Sequence, residues 1–521
     1  MIKQEILKDV EKALKLLKYS VFNKKIQILI PPKKEMGDYS INVAFLISVQ
    51  KKCNPNEIAE EIAYKLSQFG NYKKIEVLNG YINIFLKSNI LEKEILNVLK
   101  EKEKFGNNNL GKSIKTQIEF ISANPTGPLT IGNSRGGIIG DVLANVLSKS
   151  GYNIEREYYF NDAGGQIDVL GHSILGDNKS TYKGEYILKL REKNKLKNYR
   201  KVGEWGAKLI IKDIKKTTEK MGINFDNWFA EGKDLRDKKK IEEIIKWLKT
   251  KKLVYKKDGA AWFKSKKFGD DKDRVLIKKN NEPTYFCVDC AYHKNKFIDR
   301  KFGYVINVWG ADHHGDMARL KGFVKALGYE KNFKILIHQF VRIIKNGKEI
   351  RMSKRKGNYI LVEDLLDQVG KDVYRFFMLE YSKDSHLDFD LQLAKEKSQK
   401  NPVYYIQYAY ARIYGILDKI KKQDLQKGFL LKFNNYAEIE LAKKILEFPE
   451  IVQNIATSYE VQKLSIYSFE LARAFHYFYE KCSITKSDNI TKYSRLMLLK
   501  ATQIVLKETL NLIGVSAPKK M

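Results

Sequence analysis

Two segments of the sequence have residue types suited to binding a phosphorylated ligand. The first, ANPTGPLTIGN at 123–133, follows a strand-like apolar run and precedes a long helix-like one. The start of a helix carries free N–H groups and partial positive charge, which attract phosphate. Gly132 lies there, where the lack of a side chain lets a flat ring approach the backbone. Taken alone, the segment is also consistent with a structural loop rich in Gly and Pro, and it contains no Walker loop and no dinucleotide fingerprint.

The second segment, KNGKEIRMSKRKGN at 345–358, combines several cations with two glycines. Lysine and arginine in such a loop neutralise the charge that develops during phosphoryl or nucleotidyl transfer. A solvated basic turn is the alternative interpretation. Together, a helix-start loop early in an α/β unit and a basic loop at its end predict a clamp across one nucleotide.

The elements around the first segment predict a doubly wound α/β sheet. TQIEFIS is expected to be a strand, SRGGIIGDVLANVLSKSG a helix that ends at Gly151, and NIEREYYFND a second strand. Further strands are predicted at RVLIKK, TYFCVD, YVINVWG and KILIHQFVRI.

Three parts are predicted along the chain. Residues 1–108 form a small α+β unit with strands at KIQILIPP and NGYINIFL, followed by a Gly/Asn-rich linker. Residues 109–365 form the α/β core, with a charged helical insertion at about 172–260. Residues 366–521 are expected to be all helical.

The composition limits the function classes. Lys and Arg number 96 against 62 Asp and Glu, a formal net charge of +34, which favours a nucleic-acid partner. Compositional bias toward Lys, Asn and Ile is a second, compatible explanation. No apolar run is long enough to cross a membrane, and four cysteines in 521 residues do not make a disulfide scaffold, so a cytoplasmic protein is expected.

The two segments resemble the HIGH and KMSKS signatures of class I aminoacyl-tRNA synthetases, and longer matches resemble arginyl-tRNA synthetases. The matching stretches, in order, are GDYSINVAF, NGYINIFL, EFISANPTGPL, REYYFNDAGGQI, YKGEYI, VWGADHHGDMARLKG, MSKRKGN, HLDFDLQLA, NPVYYIQYAYARI and GVSAPKKM. Each match is only moderately specific, but the ordered set covers essentially the whole chain.

The resemblance implies a fold and a reaction. The expected fold is a Rossmann-like doubly wound parallel-sheet catalytic core with an N-terminal α+β tRNA-binding domain and a C-terminal all-α anticodon-binding domain. The expected reaction joins arginine and ATP into arginyl-adenylate, usually with tRNA bound, and then transfers the arginyl group to the 3′-terminal ribose of tRNA(Arg). Mg²⁺ accompanies ATP as part of the substrate, no tightly bound cofactor is expected, and the family suggests a monomer.

The resemblance also implies roles for individual residues. The expected catalytic residues are Thr130, Asn133, Arg351, Lys354 and Lys356. The expected ATP contacts are Pro125, Gly127, Gly132, Asp312, His313, Met352 and Ser353. The expected arginine contacts are Glu119, Asn124, Tyr285 and Asp289. The expected tRNA contacts are Asn79, Tyr81 and Asn83 at the D-loop, and Tyr404, Tyr408 and Arg412 at the anticodon stem and loop.

Alternatives remain open for several of these residues. Tyr285 and Asp289 are expected on one face of a strand, with an ordinary strand tyrosine and a surface aspartate as the alternative. Packing of Tyr81 in the core is a serious alternative to a tRNA contact. The spacing of Tyr404 and Tyr408 also fits an apolar seam between helices.

Thr130 and Asn133 stand where the family signature usually has two histidines. A hydroxyl and an amide can still donate hydrogen bonds to phosphate, but they are neutral, and charge-assisted hydrogen bonds are roughly twice as strong. Arg351 replaces the usual first lysine of the basic loop and keeps its charge. Three hypotheses follow: an active synthetase, which is favoured, a catalytically weakened paralogue that binds tRNA, and a nucleotidyltransferase without tRNA.

Cys287 and Cys290 form a C-x-x-C pair in a predicted strand. A structural zinc needs four ligands, and the chain offers no second pair of cysteines. No metal is therefore expected at this pair.

Overall fold

The structure is a computed structural model. It describes residues 2–20, 26–29, 31, 33–350, 360–420, 430–484 and 487–521. Among these residues, no helix combines the length and apolar character needed to span a bilayer.

The N-terminal region is an α+β unit, as predicted. Its antiparallel sheet has the strand order β1-β2-β4-β3, and both predicted strands belong to it. Its elements are α1 (Ile2–Leu16), β1 (Ile28–Leu29), β2 (Tyr39–Ile41), α2 (Val43–Lys51), α3 (Pro55–Ser67), β3 (Tyr72–Leu78), β4 (Tyr81–Leu86) and α4 (Ser88–Glu101).

The catalytic region is built on a five-stranded parallel sheet of order β12-β11-β5-β6-β7, which confirms the predicted doubly wound core. Its strands are β5 (Lys115–Glu119), β6 (Asn153–Phe160), β7 (Asn227–Ala230), β11 (Tyr304–Gly310) and β12 (Phe333–His338). The chain runs from β5 to β6 on one side, while β11 pairs with β5 on the other. Ligands bind at such a reversal of strand order, outside the carboxyl ends of the strands.

The helix that follows the first signature, α5 (Ile131–Lys149), connects β5 to β6 and is buried along most of its length. It begins at Ile131, three residues earlier than the pattern predicts. The 123–133 loop therefore reaches the carboxyl edge of the sheet directly, with the helix N-terminus facing the reversal of strand order.

The predicted helical insertion at 172–260 is only partly correct. Helices α6 (Gly165–Leu175), α7 (Glu185–Lys193), α8 (Tyr199–Lys220) and α9 (Lys240–Thr250) agree with it. However, β7 lies inside this range and forms the edge of the parallel sheet. An antiparallel sheet of β8 (Val254–Lys257), β9 (Ala260–Phe263) and β10 (Arg274–Ile277) follows.

The predicted strand TYFCVD is wrong, because these residues begin helix α10 (Tyr285–Lys294). Thr284 caps the helix by accepting a hydrogen bond from the Cys287 N–H at 3.2 Å. The helix is buried on most of its surface, so its sequence shows no amphipathic periodicity, and a short apolar run of this kind cannot be distinguished from a buried strand. The helix α11 (Met317–Ala326) follows β11.

The C-terminal region is helical, with one exception. Its helices are α12 (Val362–Val369), α13 (Lys371–Phe377), α14 (Leu391–Lys395), α15 (Pro402–Asp418), α16 (Tyr436–Leu446), α17 (Phe448–Ser458), α18 (Gln462–Lys481) and α19 (Asn489–Ile513). The prediction of helix throughout is wrong at β15 (Leu387–Asp390), which pairs in parallel with β13 (Val341–Lys345), itself paired with β14 (Lys348–Glu349). This pairing crosses the predicted boundary at 366, and the domain limits stay a prediction.

Candidate active site

A cavity of about 610 Å³ opens at the carboxyl edge of the parallel sheet. It brings together residues from the first signature, α10 and the end of β11. The predicted residues that line it are Glu119, Asn124, Thr130, Gly132, Asn133, Tyr285, Asp289, Asp312 and His313. A cavity of about 690 Å³ lies between the N-terminal region and the C-terminal helices, away from these residues.

Two predicted ATP contacts lie outside the cavity lining. Pro125 is buried, and Gly127 packs against the ring of Tyr186. The Tyr186 hydroxyl donates a hydrogen bond to the Thr126 carbonyl at 2.8 Å. The YKGEYI motif therefore supports the shape of the signature loop.

The predicted basic-loop residues Arg351, Met352, Ser353, Lys354 and Lys356 lie outside the described residues. The chain that leaves this loop is described, and it joins the first signature. The Val362 N–H donates to the Leu129 carbonyl at 3.2 Å, and Leu361 forms an antiparallel bridge with Thr130. The chain a few residues after the second signature segment therefore pairs with the backbone of the first.

Thr130 and Asn133 form a local pair at the start of α5. The Thr130 hydroxyl donates to Asn133 Oδ1 at 2.9 Å, and the Thr130 N–H donates to the same oxygen at 3.3 Å. Because a backbone N–H can only donate, it fixes the amide with its oxygen toward Thr130. The Asn133 Nδ2 group has no hydrogen-bond partner in the described part of the chain, so of the two side chains it is the available donor.

Tyr285 and Asp289 share a face of α10, where residues four apart are neighbours. Tyr285 lies on the first turn and is exposed. Asp289 is half-buried, and its carboxylate has no hydrogen bond or ion pair with any residue that the structure describes. Burial raises the pKa of the Asp289 carboxyl to about 7. Arg319 opposes this increase in pKa, whereas the acidic Glu119 adds to it.

Glu119, at the end of β5, is buried and already paired. Its Oε2 accepts a hydrogen bond from Lys296 Nζ at 2.6 Å, and its Oε1 accepts one from the Ser122 hydroxyl at 3.0 Å. Lys296 is completely buried and also donates to Asn307 Oδ1 at 3.1 Å. Burial lowers the pKa of Lys296, and Glu119 opposes that decrease.

Asn124 is held in place from both ends of its amide. Its Nδ2 donates to Gln166 Oε1 at 2.8 Å, and its Oδ1 accepts from the Asn161 N–H at 3.2 Å. The second N–H of the amide has no partner within the described ranges.

Asp312 and His313 lie on a short 3-10 turn, Ala311–Asp316, which follows β11. Both are exposed at the cavity. His313 Nε2 lies 3.7 Å from an Asp312 oxygen, and His313 Nδ1 lies 3.6 Å from an Asp316 oxygen. The turn adds further negative charge to the cavity wall.

The sequence interpretation missed Lys296 and Gln166. Gln166 belongs to the DAGGQI stretch and could have been found from that match. Lys296 has no local signal, because its partner Glu119 lies 177 residues away in the chain. Only the packing of α10 and its C-terminal extension against β5 reveals the pair.

Cys287 and Cys290 are buried on α10, not in a strand. Burial raises the pKa of the Cys287 thiol to about 12 and also raises the pKa of Cys290. Within the described residues, no group of three or more His, Cys, Asp or Glu side chains could hold a metal ion.

The predicted D-loop contacts lie on the β3–β4 hairpin. Asn79 and Tyr81 are exposed at its tip, and the Tyr81 ring packs edge-on against Phe45 with ring centroids 4.8 Å apart. Asn83 is buried between the neighbouring strands β2 and β3. The hairpin thus presents one aromatic ring and one amide to solvent.

The predicted anticodon contacts lie along α15. Tyr404 and Tyr408 are half-buried, and Arg412 is exposed one turn further on. Tyr408 stacks on His476 of α18, and the Arg412 guanidinium lies 4.8 Å from the ring centroid of Tyr479. Tyr408 therefore contributes to the α15–α18 contact, while Tyr404 is partly buried against the hydrophobic core.

The parallel sheet, the helix N-terminus at the strand reversal and the acidic cavity fit the catalytic core of a class I aminoacyl-tRNA synthetase. The family model "tRNA synthetases class I (R), catalytic domain" matches residues 94–183 and 173–388. The models "Arginyl tRNA synthetase N terminal domain" and "DALR anticodon binding domain" match residues 2–86 and 406–521. The chain belongs to the arginyl-tRNA synthetase family.

Individual relatives agree with this assignment. The arginine–tRNA ligase of Bacillus subtilis is 41% identical over 524 residues, which cover 94% of this chain and 93% of the relative. That of Carboxydothermus hydrogenoformans is 39% identical with the same coverage. A solved arginyl-tRNA synthetase structure from Campylobacter jejuni is 32% identical, covers 84% of this chain and 100% of its own, and has a TM-score of 0.77. The Thermus thermophilus arginyl-tRNA synthetase, 19% identical with a TM-score of 0.81 and full coverage of both chains, shares the fold.

Proposed function

We propose that this enzyme activates arginine with ATP, releases diphosphate, and transfers the arginyl group to the 3′-terminal ribose of tRNA(Arg). The Asp289 carboxylate carries the proposal. It is half-buried, has no partner among the described residues, and lies in a cavity with other acids. A guanidinium is the cation that matches a carboxylate with parallel hydrogen bonds.

In this proposal the remaining cavity residues orient the amino acid. Tyr285 covers the guanidinium from the exposed side. Asn124 contacts the substrate carboxylate through its free N–H. Glu119 receives the α-ammonium group, although Lys296 already neutralises part of its charge.

ATP is proposed to lie with its phosphates at the N-terminus of α5. The Asn133 Nδ2 group and the helix N–H groups stabilise charge that develops on the phosphates as the arginine carboxylate attacks the α-phosphorus and diphosphate leaves. The proposed ATP site also includes Gly132 and the turn that carries Asp312 and His313. The basic loop supplies Arg351, Lys354 and Lys356, with Met352 and Ser353 at the nucleotide, and Mg²⁺ enters with ATP.

Binding of tRNA(Arg) is proposed on two exposed surfaces. Asn79 and Tyr81 of the β3–β4 hairpin contact the D-loop, where an aromatic ring can stack on a base. Asn83 supports this hairpin from inside. Tyr404, Tyr408 and Arg412 face the anticodon stem and loop.

Arginine-dependent ATP–diphosphate exchange, with and without tRNA(Arg), tests the proposal. Exchange is expected with arginine and tRNA together. Citrulline, which replaces the guanidinium by a neutral urea group, should not support it. A chain that binds tRNA but gives no exchange would instead be the weakened paralogue, for which the comparisons give no support. Exchange that ignores tRNA and produces no arginyl-tRNA would indicate a nucleotidyltransferase.

We further propose that the enzyme acts in the cytoplasm as a monomer. All four cysteines are free thiols, which suits a reducing compartment.

The KM for arginine is expected to rise as pH falls below about 7. The guanidinium binds the ionised form of Asp289, whose pKa is about 7, so below that pH binding must first displace a proton. The KM should increase by up to roughly tenfold per pH unit below 7 and stay level above it. A profile of kcat/KM for arginine from pH 5.5 to 8.5 measures this. The fall in kcat/KM below pH 7 should be missing from an Asp289→Asn variant. A KM for arginine that does not change between pH 6 and 8 contradicts the prediction.

Asn133→Ala is expected to lower the turnover of exchange by about 5–30-fold with little change in the KM for ATP, because one phosphate hydrogen bond is lost in the transition state. Asn133→Asp is the matched control. It keeps the oxygen that accepts from Thr130 and so preserves the helix cap, but it removes the donor. Thermal stability should be kept in the aspartate variant while turnover falls. Normal turnover in that variant would show that Asn133 is only a cap.

A further inference from the structure

We call the part of the cavity that is lined by Gly132, Phe340 and Val341 the apolar slot. Gly132 lies on the first turn of α5, where a Cβ would have one neighbour within 4 Å among the described residues, the Thr130 hydroxyl at 3.9 Å. Phe340, which lies between β12 and β13, and Val341, the first residue of β13, line the slot from the sheet side. The helix N-terminus attracts the phosphates, so the nucleotide base is left for the apolar slot.

His338, the last residue of β12, lies at this part of the cavity. Its side chain is only 6% exposed. Its Nε2 lies 2.6 Å from the place where a Cβ on Gly136 would stand. Gly136 is one helical turn beyond Gly132 on the same face of α5, so its missing side chain makes room for the imidazole directly beside the slot.

The hydrogen bonding of His338 determines which nitrogen carries the proton. Nδ1 lies 3.3 Å from the Gln339 carbonyl oxygen, which can only accept, so the proton belongs on Nδ1. Burial lowers the pKa of His338 to about 4, and nearby Arg135 lowers it further, so the ring is neutral at physiological pH. Nε2 is then a bare acceptor with no hydrogen-bond partner in the described part of the chain, and it is not closed off from the cavity.

We propose that His338 determines base specificity by accepting a hydrogen bond at Nε2 from the exocyclic 6-amino group of adenine. This inference rests on the proposed function, since it assigns a role within the ATP site. Adenine presents a donor at position 6, whereas guanine presents an oxygen acceptor there. An acceptor facing an acceptor leaves both unsatisfied in a buried site, so the arrangement selects ATP over GTP. The role of His338 is thus separate from the phosphate chemistry at Asn133.

The test compares ATP with purine riboside triphosphate, which lacks only the 6-amino group, in the full-length enzyme with arginine and tRNA(Arg). Wild type is expected to prefer ATP by roughly tenfold in kcat/KM for exchange, because one buried hydrogen bond is missing with the analogue. In His338→Phe, which keeps a ring but has no acceptor, the preference should fall to within about twofold. His172→Phe, a histidine on α6 bonded to Asp177, should keep the wild-type ratio.

Two outcomes overturn the inference: equal use of the two nucleotides by wild type, or an unchanged ratio in His338→Phe. If kcat/KM falls equally for both nucleotides in His338→Phe, the ratio is unchanged, and the result would indicate that His338 contacts the ribose or the phosphates. If His338→Phe does not fold, the wild-type ratio and Gly136→Ala, whose methyl group would displace Nε2, provide the same test. Calorimetric binding of both nucleotides is measured alongside, because tenfold discrimination in binding without any exchange would support the inference while overturning the proposed function.

Discussion

Asp289→Asn is expected to raise the KM for arginine by at least about 100-fold while the KM for ATP changes little. The variant keeps the size of the side chain but leaves a half-buried guanidinium without its anion. Breaking a buried pair in this way costs roughly 3–5 kcal/mol, and each 1.4 kcal/mol is tenfold in affinity. Steady-state exchange with varied arginine at pH 8 measures the change.

The control for this prediction is Asp271→Asn, which removes an exposed carboxylate paired with Arg274 in the same region. Its effect on arginine binding should be within about threefold, because exposed pairs contribute 0–1 kcal/mol. An arginine KM that is the same in Asp289→Asn and wild type would remove Asp289 from the substrate site.

Asp289→Asn should also separate function from stability. An unperturbed aspartate has a pKa of 3.8, whereas that of Asp289 is about 7, so the folded chain binds an additional proton between these values. Stability is therefore lost as pH rises through this range, and the full penalty applies above about pH 7. Asp289→Asn carries no ionisable group at this position and so avoids this free-energy cost. Its melting temperature is expected to exceed that of wild type at pH 8, and by a smaller margin at pH 5. A destabilised variant would point to a structural role for the carboxylate.

Lys296→Met is expected to destabilise the catalytic region by roughly 3–5 kcal/mol, the second large effect. Lys296 has no exposed surface, and its ammonium is the cation that compensates the buried Glu119. Methionine fills a similar volume but leaves a carboxylate in a low-dielectric site, where an uncompensated charge is costly. Thermal unfolding without ligands should show a fall of several degrees in the melting temperature.

A double-mutant cycle separates the pair from packing. Lys296→Met combined with Glu119→Gln removes both charges and should recover most of the lost stability, although arginine activation should remain impaired. Lys294→Met is the matched control, because Lys294 lies two residues away and its partners Glu243 and Asp299 keep 46% and 25% of their side-chain surface exposed, so that water can solvate them when the lysine is removed. Its expected cost is below about 1 kcal/mol. If Lys296→Met and Lys294→Met lose the same free energy of unfolding, the pairing of Lys296 with Glu119 contributes no stability beyond that of the buried side chain itself.

Tyr285 and Asp289 show how the sequence can indicate the correct face from a wrong element. Residues four apart share a face in both strands and helices, so the pair was expected together on a strand and is found together on α10. The sequence did not reveal that this element is a helix, because α10 is buried on most sides and therefore lacks the amphipathic pattern of a surface helix. At β15 the alternation of LDFD was too short to compete with the surrounding helical pattern, and its pairing partner β13 lies more than 40 residues earlier.

Thr130 and Asn133 illustrate the same limit at the level of single atoms. Their position at a helix start and their polar character could be inferred from the sequence. The Thr130 hydroxyl donates to Asn133 Oδ1, and the Asn133 Nδ2 group has no partner among the described residues; both facts depend on how the two side chains are placed in space.

The sequence by itself determined the family, the order of the strands and helices around the first signature, and the residue types available for phosphate and guanidinium. These depend on local composition and on short motifs, each contiguous in the chain, and on the order in which the motifs occur. Only the tertiary structure decided which of these groups are free. Glu119 and Asp289 are both acids at the cavity, yet Lys296 neutralises Glu119, whereas Asp289 has no ion-pair partner in the part of the chain that the structure describes. The physical reason is that pairing and desolvation act through space, between residues that the chain separates by more than a hundred positions.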